Sequence, residues 1–289
     1  MVFIDQSVDH LVRLVNDLVN EGNGRRVIIH YMKRLHVNKA FSTFLIRALV
    51  ASGASCAGGT VESETEMATV ETEVTETTEE TASPVIYNNQ LFEDFESGDS
   101  ICFVGDSITY GSAFEEAIPW YDPLLPFIRG EVMNYSQGGW TSTYLVSILD
   151  ELPQADIYVV AIGINDVLFI DQPLGAASAE EFVDNLNTFT DAATNLSPDA
   201  TIYFIAPWPF LDQPDETYVT RQEFADAMES WCNDEGWYFM DPSDIILDVL
   251  EEVDTSVYMW NEYHPDQPEG IGLYSYAVML SASQMEVQD

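Results

Sequence analysis

From about residue 90 onward, the apolar positions alternate between short unbroken runs and helical periods. Residues 101–104, 132–135, 157–162, 202–206 and, more weakly, 237–240 form apolar runs of strand length. The run 157–162 has no polar break, as expected of a strand buried on both faces. Helical patterns lie between the runs. Ser178-Ala179-Glu180-Glu181 reads as a capping box, and the pattern after it places Phe182, Leu186, Phe189, Ala193 and Leu196 on one face. Thr220-Arg221-Gln222-Glu223 is a second box, ahead of Phe224, Met228 and Trp231. Asp241-Pro242 opens a third helix with proline at its first position. Strand–helix alternation predicts an α/β fold: a three-layer α/β/α sandwich with a central parallel sheet, of flavodoxin-like architecture. In such sheets a ligand site lies beyond the carboxyl ends of the strands.

The first third of the chain has a different pattern. Residues 1–56 hold seven of the nine basic residues, Arg13, Arg25, Arg26, Lys33, Arg34, Lys39 and Arg47. Within them, Met32-Lys33-Arg34 followed by the apolar segment 40–54 resembles an export signal, with Met32 as the true start. Ala54-Ser55-Cys56 resembles the end of a bacterial lipoprotein signal, whose cysteine receives lipid. The competing reading is an amphipathic helix over 5–20, with Val8, Leu11, Val15 and Leu18 at helical spacing. Residues 57–84 carry eight glutamates and no basic residue, so the segment 57–90 is expected to be a disordered acidic linker. The folded domain is then 91–289. An extracellular or cell-surface location follows from this organisation, with a lipid tether through Cys56.

Charge narrows the classes of partner. The formal net charge is -41, and beyond residue 47 the only basic residues are Arg129 and Arg221. So acidic a surface repels nucleic acid and anionic membrane, so no nucleic-acid partner is expected. Adaptation to a salty medium accounts for it most simply. The three cysteines, Cys56, Cys102 and Cys232, fit no zinc spacing, and Cys102 and Cys232 read as small buried hydrophobes. No metal or organic cofactor is implied.

The chemistry-bearing residues fall at the ends of the apolar runs. Gly105-Asp106-Ser107-Ile108-Thr109 follows the first, and a serine there sits at the carboxyl edge of the sheet. Asn134 through Thr141, with two glycines, follows the second. Gly163-Ile164-Asn165-Asp166 follows the third, where an asparagine amide can donate to a developing oxyanion. His264-Pro265 lies after the last run, and His264 is the only histidine beyond His36. A serine that attacks an acyl carbon needs such a base. Asp106 and Asp166 read as turn-forming acceptors.

Four such segments in this order resemble the SGNH hydrolases, also called GDSL esterases/lipases, over about residues 99–284. The resemblance implies that Ser107 is the nucleophile and His264 the base. It places the oxyanion donors at the backbone of Ser107, the backbone of Gly139 and the side chain of Asn165. The last block departs from the family, because its aspartate aligns with Asn261. Three arrangements would orient the imidazole without it: the Asn261 oxygen, the Glu262 carboxylate, or a backbone carbonyl such as that of Trp260. A Ser-His dyad held by a carbonyl or by Asn261 is favoured.

The resulting expectation is an exported serine esterase acting on small acyl esters, with acetylated carbohydrate favoured by analogy and by nearby aromatics. Tyr110, Trp120, Tyr121, Trp140 and Trp208 lie on segments near the site edge and suit a sugar ring. A non-catalytic glycan-binding module on the same fold is the alternative. A flavin or nucleotide binder is a third reading, weakened by the lack of Lys or Arg around residues 105–115.

Overall fold

In the computed structural model the described residues are 89–168, 174–212 and 219–285. The expected export signal with Cys56, the helix over 5–20 and the tract 57–84 lie outside them. The first described helix, α1 (Gln90–Ser97), is capped by Asn89, whose Oδ1 accepts from the Phe92 N–H. Asn89 and Gln90, two positions assigned to the linker, are thus part of a capped helix.

Five parallel strands form one sheet: β1 (Ile101–Gly105), β2 (Val132–Ser136), β3 (Ile157–Ala161), β4 (Thr201–Ile205) and β5 (Tyr238–Met240). Their order is β2-β1-β3-β4-β5, the flavodoxin-like arrangement. Each strand coincides with a predicted apolar run to within one residue. All five positions of β1 and of β3 are buried, as a strand covered on both faces must be. Strand order reverses direction between β1 and β3, so right-handed crossovers carry the helices to opposite faces. Helices α3 (Ser142–Ser147), α5 (Ala179–Leu196) and α6 (Arg221–Glu235) pack on one another in one layer. In the other layer α8 (Glu269–Ala282) packs against α1 and α7 (Ser243–Leu250).

The helix starts follow their sequence signals closely. Thr220 and Glu223 make the complete reciprocal box, a cap worth about 1 kcal/mol. At α5 the Ser178 hydroxyl accepts from Glu181 N–H, but the Glu181 carboxylate reaches one residue further back, to Ala177 N–H. Asp241 accepts from Ser243 N–H, and Pro242 stands at the cap rather than inside the helix. On α5, Phe182, Leu186, Phe189 and Ala193 are buried, whereas Leu196 at the end of the stripe is exposed. Cys102 and Cys232 are free and buried in the core.

Candidate active site

The topological switch point fixes where the site forms. β1 and β3 are neighbours whose chains leave the sheet in opposite directions, opening a crevice at their carboxyl ends. Ser107 follows β1 and Asn165, in the short helix α4 (Ile164–Leu168), follows β3, so both stand at that crevice. Gly105 makes the close approach possible, since a Cβ there would lie 2.4 Å from the Ala161 carbonyl oxygen and 2.5 Å from Thr109 Oγ1. Asp106 then caps a four-residue helix, α2 (Ser107–Tyr110), by accepting from Ile108 N–H at 2.9 Å. As the first residue of that helix, Ser107 has a backbone N–H with no intrahelical partner.

The loop after β2 runs against this turn. A Cβ on Gly138 would come within 3.7 Å of the Ser107 Cβ. Gly139 has φ +82°, a conformation that favours glycine, and faces open space. Among the described residues no acceptor takes its N–H. Asn165 is buried and its Nδ2 donates to the Trp140 carbonyl at 2.9 Å, which holds the amide beside the same loop and leaves its second hydrogen uncommitted. Asp166 is not a local turn-former. Its carboxylate accepts from the Ser142 N–H and hydroxyl and from Ala176 N–H, tying the start of α3 to the end of β3. Burial pushes its carboxyl up to about 6, against the pull of those hydrogen bonds. Asp106 is fully buried, and burial pushes it up to about 7.

His264 arrives from the opposite side. Its loop is closed by an antiparallel bridge between Met259 and Pro265, by Trp260 N–H donating to the His264 carbonyl at 2.9 Å, and by Asp266 N–H donating to the Tyr258 carbonyl at 2.7 Å. Leu211 N–H donates to the Glu262 carbonyl and anchors the loop to the segment after β4. The result brings His264 Nε2 to 2.7 Å from Ser107 Oγ, across 157 residues of sequence. Burial lowers the imidazole to about 4, so the ring is neutral at ordinary pH.

Asn261 takes the place beside Nδ1, but not by its oxygen. Oδ1 accepts from His264 N–H at 2.8 Å and from Tyr263 N–H at 3.1 Å. The amide nitrogen is therefore the end that faces His264 Nδ1, at 3.0 Å. Turning the amide over would set its NH₂ against two backbone donors. It would give up two hydrogen bonds of about 1 kcal/mol each to gain one. Glu262 is exposed, and among the described residues no contact joins its carboxylate to the ring.

Beside Ser107 lies a small apolar pocket, about 210 Å³ including the part open to solvent. Ile108, Gly111, Phe114, Ala117, Ile118 and Ile271 line it. One side chain joins its wall to the histidine loop: Gln267 accepts from Ile118 N–H at 3.1 Å and donates to the Glu116 carbonyl at 2.6 Å.

The aromatic expectations divide. Trp120, Tyr121 and Trp208 are buried in the core and are not part of the pocket wall beside Ser107. Tyr110 is exposed and Trp140 half-buried. Sequence reasoning missed Phe114 and Trp260, whose rings lie 5.0 Å apart at the site. Trp260 is 56% exposed, one residue before Asn261. Both described arginines are bonded to carboxylates, Arg129 to Glu96 and Arg221 to Asp241, so neither supplies the cation a phosphate cradle needs. Among the described residues no group of three or more His, Cys, Asp or Glu could hold a metal ion.

Comparison with known proteins gives a consistent picture. The model of the GDSL-like lipase/acylhydrolase family matches residues 103–267. Axe2, an acetylxylan esterase from Geobacillus stearothermophilus, superposes with a TM-score of 0.53 at 18% identity, covering 67% of this chain and 97% of that one. LAE5, an α/β hydrolase enzyme from the metagenome of Lake Arreo, Spain, superposes with a TM-score of 0.51 at 19% identity, covering 65% and 96%. At these identities the structural likeness speaks to the fold. Among curated proteins none is a significant match.

Proposed function

The chain belongs to the GDSL-like lipase/acylhydrolase family and is a serine ester hydrolase; from that premise we propose that Ser107 is its nucleophile, His264 its base and short acyl esters its substrates. The observation that carries this reading is the 2.7 Å approach of Ser107 Oγ to His264 Nε2 at the switch point of the sheet. In the reaction Ser107 Oγ attacks the ester carbonyl and its proton passes to His264 Nε2. The tetrahedral oxyanion is received by the N–H groups of Ser107 and Gly139 and by the free amide hydrogen of Asn165. His264 returns the proton to the leaving alkoxide, and water then repeats the sequence on the acyl-enzyme.

The pocket beside Ser107 supports a small acyl group. Its apolar walls suit an acetyl or similar chain and offer nothing to an acyl charge. The exposed pair Phe114–Trp260 supports a ring-shaped alcohol, a sugar above all, by stacking at the mouth. The basic start at Met32, the apolar segment after it and Cys56 support export with a lipid tether, which would hold the domain at a cell surface.

A panel of p-nitrophenyl esters from acetate to octanoate tests the assignment. Turnover should be highest for acetate. Ser107→Ala should remove both fluorophosphonate labelling and hydrolysis, with a loss of about 10²-fold or more. Equal labelling of the variant would move the nucleophile elsewhere. Binding of sugar esters without any turnover would favour the glycan-binding module instead.

A further inference from the structure

Resting on the Ser107–His264 assignment, we propose that Asn261 is a restraining residue: its amide holds His264 as the Nε2–H tautomer and keeps Ser107 mostly unactivated. The geometry around the ring leaves little freedom. Asn261 Oδ1 is occupied by the N–H groups of Tyr263 and His264, so the nitrogen must face the ring. An amide nitrogen only donates. Nδ1, 3.0 Å away, therefore acts as the acceptor and carries no proton. In a neutral imidazole the proton is then on Nε2, and the 2.7 Å bond runs from Nε2–H to Ser107 Oγ. A base in that state has no lone pair with which to take the serine proton.

The same contact opposes the charged intermediate. When Nε2 receives the serine proton, a productive ring must carry a proton on Nδ1 as well. That N–H would point at the Asn261 NH₂, donor against donor. Asn261 thus disfavours both the tautomer that starts the reaction and the imidazolium that forms in its course. Aspartate would reverse both effects while fitting the same turn. One carboxylate oxygen would accept the two backbone N–H groups, and the other would accept Nδ1–H. In a serine protease triad the change from aspartate to asparagine lowers kcat about 10⁴-fold through the wrong tautomer. Here the asparagine is native and the loss is built in.

The test uses the full chain and two independent readouts. In protein labelled with ¹⁵N-histidine, the signals of His264, identified by their loss in His264→Gln, report which ring nitrogen is protonated whether or not the enzyme turns over. The wild type should show an unprotonated Nδ1 and a protonated Nε2, and Asn261→Asp should show the reverse. Hydrolysis of p-nitrophenyl acetate should rise about 10²- to 10⁴-fold in kcat in Asn261→Asp, with KM little changed. A protonated Nδ1 in the wild type overturns the proposal. So does an Asn261→Asp variant that is folded and no faster. These outcomes are separate from failure of the assignment itself, which would appear as hydrolysis that survives Ser107→Ala in both backgrounds.

Discussion

Replacing Gly270 by alanine tests how tightly the position of His264 is set by a contact remote from the chemistry. Gly270 lies in the first turn of α8, and a Cβ there would stand 1.9 Å from the Tyr258 carbonyl oxygen and 3.1 Å from the Pro265 Cβ. Contacts under 3.0 Å do not occur in practice, so the Tyr258 backbone must retreat by about 1 Å. Tyr258 is the residue whose carbonyl accepts from Asp266 N–H, next to the Met259–Pro265 bridge that closes the histidine loop. Its displacement should pass to His264 and stretch the 2.7 Å bond to Ser107. A misplacement of about 1 Å in a catalytic group costs roughly 10²-fold. We expect kcat/KM for p-nitrophenyl acetate to fall by about that factor. Overpacking of this kind also destabilises by about 1–3 kcal/mol. Alanine's better helix propensity, about 1 kcal/mol, works in the opposite direction. Tm should therefore fall by only a few degrees, and circular dichroism at the assay temperature should show a folded protein. A Gly270→Ala variant with wild-type kcat/KM would refute the reasoning, because it would mean that the loop can yield without moving the base.

Burial lowers His264 to about 4, so its neutral form prevails above pH 5. The pH–rate profile of the wild type should be level from about pH 5 to 8 and fall as pH drops through about 4. An acid limb near the ordinary histidine value of about 6.5 would show that the ring is better solvated than the structure has it. The proposed tether predicts that cells expressing the full chain will incorporate labelled palmitate into it and that Cys56→Ser will not. Equal labelling, or labelling of neither, removes the lipid anchor.

The strands were legible because an apolar run of strand length with no polar break admits few alternatives, and β3 is the clearest case. Helix starts were legible because caps are local chemistry, as Thr220 and Glu223 show. Ser107 and Asn165 could be placed together because residues at the ends of neighbouring parallel strands must share one edge, whereas Gly139 was singled out by the resemblance to the SGNH hydrolases. The aromatics were harder. A tryptophan satisfies a core and a pocket equally well, and Trp120 and Trp208 went to the core. Phe114 and Trp260 meet across nearly 150 positions of chain, and no local pattern announces such a pair. The orientation of Asn261 was out of reach for a different reason. Which end of an amide faces the ring is decided by two backbone N–H groups, and these become visible only once the turn is formed.

Gln267 has a consequence for selectivity. By bonding both Glu116 and Ile118 it links the wall of the proposed acyl pocket to the loop that carries His264. An acyl chain too long for the pocket must push that wall outward, and the displacement reaches His264 through Gln267, three residues away along the chain. Oversized substrates would then still bind, held by their alcohol portion at the mouth, yet turn over slowly because their own bulk detunes the base. Discrimination by chain length in this enzyme should be written in kcat, with KM nearly flat across the series.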